Sequence, residues 1–486
     1  MNNGLSKSRV AAFEQCPKRL WLAAHRPDEA RFSEEAEVRF AAGHLVGAAA
    51  CELFPDGIMI EAEPDLAAAV ARTHELLESG CAAVIFEATF TFGGVLVRVD
   101  VLEPDGQGAW HIAEVKSTTS AKDQHHGDLA TQVWVATNAG LPVSGASIRH
   151  LNRDFVLQKE ADYAGAFVDV ELLDTVGPIV AGRSEVISSA LAILEGPEPD
   201  REVGPHCMEP YPCQFLHYCE AKMPAGPEWP VTILPHGGGK KWLAKGIDDL
   251  LAIEADALTN ATHSRVHRAT VTGAPVHDPD GAAAAIGDWL FPRTWLDFET
   301  IAFALPRWVG TRPYEQVPFQ FSAHIQDASG ELYHRDFLSL DGTDPRRACA
   351  EALMQIVPAD GAVIAYNASF ERGCIQRLAN GFPDLADGLM AIEARIVDLL
   401  PVTRAHWYHR DQRGSWSIKA VLPTVSSKNY SSLEIQGGGG AQAAYLEAIS
   451  PGTSAERVAE LDKALRDYCG QDTEAMILLA DHLVTR

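Results

Sequence analysis

The stretch VIFEATFTFGGVLVRVDVLE, residues 84–103, sets the architecture of the first half of the chain. Two runs rich in β-branched and aromatic residues flank Gly93-Gly94, a pair suited to a tight hairpin turn. In the second run Val95, Val97, Val99 and Val101 share one face by period two, leaving Asp100 on the other with Leu96 and Leu102. A third strand pattern follows in WHIAEVKST, residues 110–118, where Glu114 and Lys116 share a face and Val115 opposes them. Two carboxylates and a lysine on adjacent strands can converge on one point. Carboxylate oxygens suit Mg²⁺ or Mn²⁺, and a neighbouring lysine can orient an attacking water and stabilise a phosphoryl transition state. A surface hairpin closed by a salt bridge would use the same residues.

Texture divides the 486 residues into three regions. Residues 1–222 mix helices with the hairpin and end in a cysteine cluster. Residues 223–290 open on the Pro/Gly-rich MPAGPEWPVTILPHGGGKK and are expected to be a partly helical connector. From 291 to 486 strands and helices alternate, so the fold class expected is α/β. The chain is 47% hydrophobic and 22% charged, with a net charge of −26. That balance argues against a protein that coats long duplexes by general electrostatics, but not against local contact with nucleic acid through cation-filled acidic sites. No run of about 18 uncharged apolar residues suggests a membrane span, and the N-terminus has no secretory pattern, so a cytoplasmic location is expected.

The spacing of Asp100, 13 intervening residues, then Glu114-Val115-Lys116 resembles the PD-(D/E)XK nuclease motif in its RecB-like branch. Gln132, in DLATQVWVA on an expected helix, matches that branch's glutamine motif. The resemblance implies a restriction-endonuclease-like α/β/α domain with a catalytic centre built from these residues. Two positions depart from it. Ala136 stands where the branch carries tyrosine, and AGHLVG supplies Gly43 and Gly47 where it carries Gly-x-x-x-His, leaving His44 out of register. Glu87, on the first hairpin strand, is the expected replacement metal ligand.

Of nine cysteines, Cys51, Cys81, Cys349, Cys374 and Cys469 stand singly and are expected to be buried free thiols. Cys207, Cys213 and Cys219 recur with five residues between them, and Cys16 lies far upstream in CPKRLW. By themselves these could bind zinc, with His206 or His217 completing the set. One cysteine before the nuclease motifs and three after them is similar to RecB-like nucleases that hold an iron–sulfur cluster. That resemblance implies a structural [4Fe–4S] staple on Cys16, Cys207, Cys213 and Cys219.

A second constellation lies downstream. In RTWLDFETIAF, residues 293–303, Leu296 and Phe298 share one strand face and Asp297 and Glu299 the other. AVIAYNASFERGCIQRLA reads as a buried strand running into a helix, with Asn367 and Glu371 at its start. The last helix carries an apolar stripe, Val458, Leu461, Leu465, Tyr468, Met476, Leu479 and Leu483, on which Asp472 also falls. A carboxylate there is costly unless paired, and a metal ion is one candidate. The order Asp297-x-Glu299, Glu371, Tyr468-x-x-x-Asp472 resembles the DEDD exonucleases, with glutamate where the second motif usually ends in aspartate. The resemblance implies a ribonuclease-H-like mixed sheet, two cations, a water oriented by Tyr468 and 3′–5′ polarity. RAHWYHRDQRGSWSIK, residues 404–419, interleaves Arg404, Arg410, Arg413 and Lys419 with Trp407, Tyr408 and Trp416, as a single-strand contact or a solvated loop would. Asp398, in RIVDLL, is a further candidate acid, or else core-edge structure.

Together these features resemble a bacterial family that fuses the two nuclease types. The expected activity is hydrolysis of DNA or RNA, as single strands or ends, with Mg²⁺ or Mn²⁺. The alternative is a catalytically degenerate iron–sulfur protein that binds nucleic acid or a protein partner.

Overall fold

The Gly93-Gly94 pair turns with φ of +59° and +82°, a region glycine enters without strain. It joins antiparallel strands Ile85–Phe92 and Val95–Pro104, as expected. A Cβ on Gly93 would sit 2.8 Å from the Trp134 ring, so the close packing also requires its absence. This computed structural model describes residues 4–486, the side chains of residues 34 and 35 excepted, and the chain is mixed α/β. It divides into two units: residues up to Met223 with Phe303–Glu315, and Pro224–Ala302 with Gln316–Arg486.

The first unit is built on a seven-stranded mixed sheet. Its order is Ile58–Met59, Ile85–Phe92, Val95–Pro104, Trp110–Lys116, Val143–Leu151, Phe167–Glu171, with Leu5–Ser6 paired parallel to the start of Val95–Pro104. Trp110–Lys116 and Val143–Leu151 run parallel. A parallel pair needs a crossover, and helix Asp123–Asn138 supplies it. Its side chains from Leu129 to Ala136 are buried all round, because helix Leu173–Glu195 packs on the side away from the sheet. That second helix is long and apolar enough to cross a membrane by composition. In this fold it buries Val176, Ile187, Ala190 and Leu194, and its fully buried Arg183 donates to Glu14 Oε1 at 2.6 Å and to the Gly127 carbonyl at 2.9 Å. A buried guanidinium is tolerable only when paired in this way.

The second unit holds a five-stranded sheet in the order Leu332–Leu338, Gln316–Gln326, Arg293–Ala302, Val363–Ala365, Ile396–Asp398. The first three strands are antiparallel and the last two join parallel. Period-two alternation sends neighbouring residues into separate cores. Leu296, Phe298 and Val363 pack with Leu353, Ile375 and Leu389, whereas Trp295 and Ile364 pack with Met476, Leu479 and Leu483 of the final helix, Ala455–Val484.

Two expectations are corrected. Residues 224–290 are not a connector: Trp229, Val231, Leu234, Trp242, Leu250 and Ile253 enter the second unit's core. Short 3₁₀ and helical turns between the Pro and Gly breaks bury apolar side chains that composition alone marks as linker. Nor do the aromatics of residues 404–419 form either the single-strand contact or the solvated loop expected as alternatives. Trp407, Tyr408 and Trp416 are buried in the same core, and Arg410 and Arg413 lie over the Trp229 ring at 5.4 and 5.2 Å.

Candidate functional sites

In the first unit the ladder between Val95–Pro104 and Trp110–Lys116 ends at Val101↔Ala113, so the next pair in register is Asp100 with Glu114. Asp100 Oδ2 accepts the Val115 N–H at 2.8 Å. On the other side, the flanking pairs Phe86↔Val101 and Ala88↔Val99 set Glu87 opposite Asp100. Glu87 adopts φ +55° and is engaged by Arg98 Nε at 2.8 Å, so it is turned to an arginine. Glu114 is the hub. Its Oε1 meets Lys7 Nζ at 2.6 Å and Lys116 Nζ at 2.8 Å, and its Oε2 accepts from Gln132 Nε2. Lys116 also meets Asp128 Oδ2 at 2.6 Å. Burial works against the Glu114 charge, but Lys116 and Lys7 outweigh it and hold the carboxyl well below its ordinary range. Burial, then Glu114, push Asp100 up to about 7 against the pull of Lys7.

Gln132 Oε1 is buried and without a hydrogen-bond partner, an acceptor to which a bound water or cation could be added. His44 is exposed. A Cβ at Gly47 would meet nothing within 4 Å, so the position of the usual histidine is open space. Cys51, one turn further along helix Glu34–Glu52, senses the acids: burial, then Glu87 and Asp100, push its thiol up to about 11. Lys7 and Asp128 were missed. A lysine in the first turn of an N-terminal helix, 107 residues from Glu114, carries no local signal of that contact.

Cys16, Cys207, Cys213 and Cys219 line one small cavity. Cys16 sits at the break between helices Lys7–Gln15 and Pro17–His25, where Pro17 prevents a continuous helix. The Cys213 N–H donates to the Cys207 carbonyl at 2.8 Å. Burial pushes the Cys213 and Cys219 thiols up; Cys207 and Cys16 add to both, and Cys213 adds to Cys219. A tetrahedral zinc site with Zn–S of about 2.3 Å holds its sulfurs about 3.8 Å apart. Among the described residues, no three ligand atoms of these cysteines and the adjacent histidines lie within 4.8 Å of one another.

In the second unit Asp297, Glu299 and Asp472 each offer an oxygen, and the three lie within 4.8 Å of one another. The strand alternation and the helical stripe read from the sequence both hold here: Asp297 and Glu299 face the final helix, where Tyr468 and Asp472 are buried one turn apart. Glu371, buried at the start of helix Ser369–Gly381, stands outside that triangle but close enough to raise Asp297 and Glu299. Its Oε2 is buried without a hydrogen-bond partner. Asp398 has a structural task. It caps helix Leu399–His406 through Leu400 N at 2.9 Å and accepts from Asn367 N and Ala368 N at 3.0 and 3.1 Å, fixing the turn that precedes Glu371.

Burial comes first in raising every acid of this cluster; repulsion from cluster neighbours adds to it at Asp297 and Glu299, and repulsion from Asp398 adds to it at Glu371. Asp297 is pushed well above its ordinary value, Asp472 is raised, and Glu299 and Glu371 each reach about 8. Lys419, from helix Ile418–Val425, answers part of that charge. It donates to Tyr468 Oη at 2.8 Å and lies 4.8 and 5.4 Å from the Tyr468 and Tyr430 ring centroids. Tyr430 donates to Asp472 Oδ1. Sequence reasoning named Lys419 only as a loop cation and missed Tyr430, which sits in a turn-rich segment without periodic signal. The arrangement is a ring of buried carboxylates with too few cations, bordered by one ammonium and two phenols.

Residues 294–417 match a family described as Domain of unknown function (DUF2779), a span that includes Asp297, Glu299 and Glu371 but not Lys419, Tyr468 or Asp472. Comparison with curated proteins and with solved structures finds no match.

Proposed function

We propose that the chain is a metal-dependent nuclease whose principal site is the Asp297–Glu299–Asp472 cluster. The observation that carries this reading is the convergence of three carboxylates within 4.8 Å, Glu299 and Asp472 buried and Asp297 half-buried, with the orphaned Glu371 Oε2 beside them. Buried like charges are held together only if a cation joins them or if they stay protonated. Asp297, Glu299 and Asp472, with Glu371 as a fourth, would hold Mg²⁺ or Mn²⁺. Divalent cations bound there supply an activated water and neutralise charge on a scissile phosphate. Tyr468, its oxygen already bonded by Lys419, is positioned to orient that water, and Lys419 offers a charge to the phosphate. The order of motifs supports a ribonuclease-H-like exonuclease of 3′–5′ polarity.

The mixed sheet of the first unit, with Asp100, Glu114 and Lys116 on adjacent strands, supports a restriction-endonuclease-like second centre. The four cysteines that line one cavity, one before the acidic motifs and three after them, support a [4Fe–4S] cluster as its staple. One observation favours a non-catalytic first unit: both Lys7 and Lys116 bind Glu114 Oε1, so ammonium groups already satisfy the carboxylate a cation would need.

The test is degradation of 5′-labelled single-stranded DNA and RNA with Mn²⁺, comparing wild type, Lys116→Ala, Asp297→Asn and the double variant. Loss of all cleavage in Asp297→Asn alone assigns the activity to the second unit. Identical products from wild type and the double variant would refute catalysis at both sites.

A further inference from the structure

Beside the cysteine loop of the first unit lies a group of exposed rings that the cluster and the acids do not use. Phe32 and Phe40 are 51% and 50% exposed, with ring centroids 5.6 Å apart and planes at 78°. The Arg39 guanidinium stands 5.9 Å from the Phe40 centroid and 5.5 Å from that of Tyr211, itself 37% exposed. Tyr211 belongs to the loop between Cys207 and Cys213. Its hydroxyl accepts from Gln124 Nε2 at 2.6 Å, which fixes the ring against the start of helix Asp123–Asn138. One turn along that helix, Asp128 holds Lys116 at 2.6 Å. The ring group is therefore continuous with the acidic site of its own unit.

Half-exposed aromatic rings held by hydrogen bonds and edge contacts are ready stacking partners, and a guanidinium among them supplies charge for a phosphate. The chain's net charge of −26 opposes a polyanion at long range, so attraction must be local, as the Arg39 guanidinium among the rings provides. Duplex bases are already stacked and gain nothing from such rings, whereas unpaired bases do.

We infer that Phe32, Phe40 and Tyr211, with Arg39 among them, form a stacking surface for unpaired bases, which guides a single strand toward the Asp100–Glu114–Lys116 site. The inference rests on the nucleic-acid reading of the preceding subsection, and it adds the class of substrate and its path into the first unit.

The experiment is fluorescence anisotropy of labelled oligo-dT, oligo-U and a duplex of equal length, in EDTA so that binding is read without hydrolysis. Wild type is expected to favour single strands over duplex, with the DNA and RNA arms showing which sugar is preferred. Phe32→Ala/Phe40→Ala and Tyr211→Ala should each weaken single-strand binding by about tenfold, the loss of roughly one stacked base. Tyr211→Phe, which keeps the ring, should retain most of the affinity. Arg39→Ala should lower the salt slope by about one. All four positions are exposed enough for the variants to fold, and an unchanged melting temperature would establish it. Wild-type affinity in the correctly folded double variant, equal binding of duplex and single strand, or no binding by wild type would each overturn the inference. Absence of Mn²⁺-dependent cleavage alongside the expected binding losses would overturn the hydrolytic reading alone.

Discussion

Removing one carboxylate from the second unit's cluster should stabilise the metal-free protein while abolishing its response to metal. Glu299→Gln is the cleanest case, since the side chain is buried and the amide keeps its shape. Its acid is pushed from 4.5 to about 8, by burial first and then by Asp472. The folded state therefore binds this proton more tightly than the unfolded chain. No penalty exists below pH 4.5; it grows as pH rises and is complete above about 8. A shift of that size corresponds to about 5 kcal/mol as an upper figure. Because Asp297, Glu371 and Asp472 share the repulsion and relax when one charge goes, about 2 kcal/mol is expected in practice. For a unit of this size that is about 4–8 °C in Tm. The assay is differential scanning calorimetry in EDTA at pH 5 and pH 8.5, repeated with Mn²⁺. The gap between variant and wild type should be near zero at pH 5 and full at pH 8.5. Mn²⁺ at 100 times its Kd should then raise wild type by about 2.7 kcal/mol and leave the variant nearly unmoved. A variant less stable than wild type in EDTA at pH 8.5, or one that gains as much from Mn²⁺, would refute the idea that these acids are strained together for a cation.

Three further outcomes are expected. Cys16→Ser should remove the brown iron–sulfur absorbance of anaerobically purified protein and destabilise the first unit; stoichiometric zinc and no iron by elemental analysis would contradict the cluster. If Tyr468 orients water as proposed, Tyr468→Phe should lower kcat by about 10²-fold with KM little changed, since it removes a hydroxyl but no carboxylate; unchanged kcat would remove tyrosine from the proposed mechanism. Glu14→Ala should leave the fully buried Arg183 with only the Gly127 carbonyl. It should cost about 2 kcal/mol in urea unfolding, below the figure for a wholly buried pair because Glu14 is partly exposed.

Local periodicity carried much of what was legible. The Gly93-Gly94 hairpin, the opposed faces of Arg293–Ala302 and the buried stripe of the final helix are set by neighbours two, three or four residues apart, and side-chain chemistry at those intervals is written in the chain itself. For the same reason the shared face of Asp297 and Glu299, and that of Tyr468 and Asp472, are legible in the chain itself. Corrections came where burial depends on distant partners. Trp407, Tyr408 and Trp416 look like a stacking loop by composition, yet they fill a core completed by Trp229 and the final helix. Residues 223–290 look like a partly helical linker because Pro and Gly interrupt their periodicity, although the apolar side chains from Trp229 onward find a surface to cover.

The sequence alone determined which residues could bear charge toward a metal, because strand and helix periods decide faces without tertiary knowledge. Tertiary structure alone decided how those charges are answered. Lys7 reaches Glu114 across 107 residues, Lys419 reaches Tyr468 across 49, and Tyr430 reaches Asp472 across 42. Such pairings arise from chain crossings between elements, and no short-range pattern records them. They separate a first site whose key carboxylate is already met by two ammonium groups from a second whose acids still repel one another.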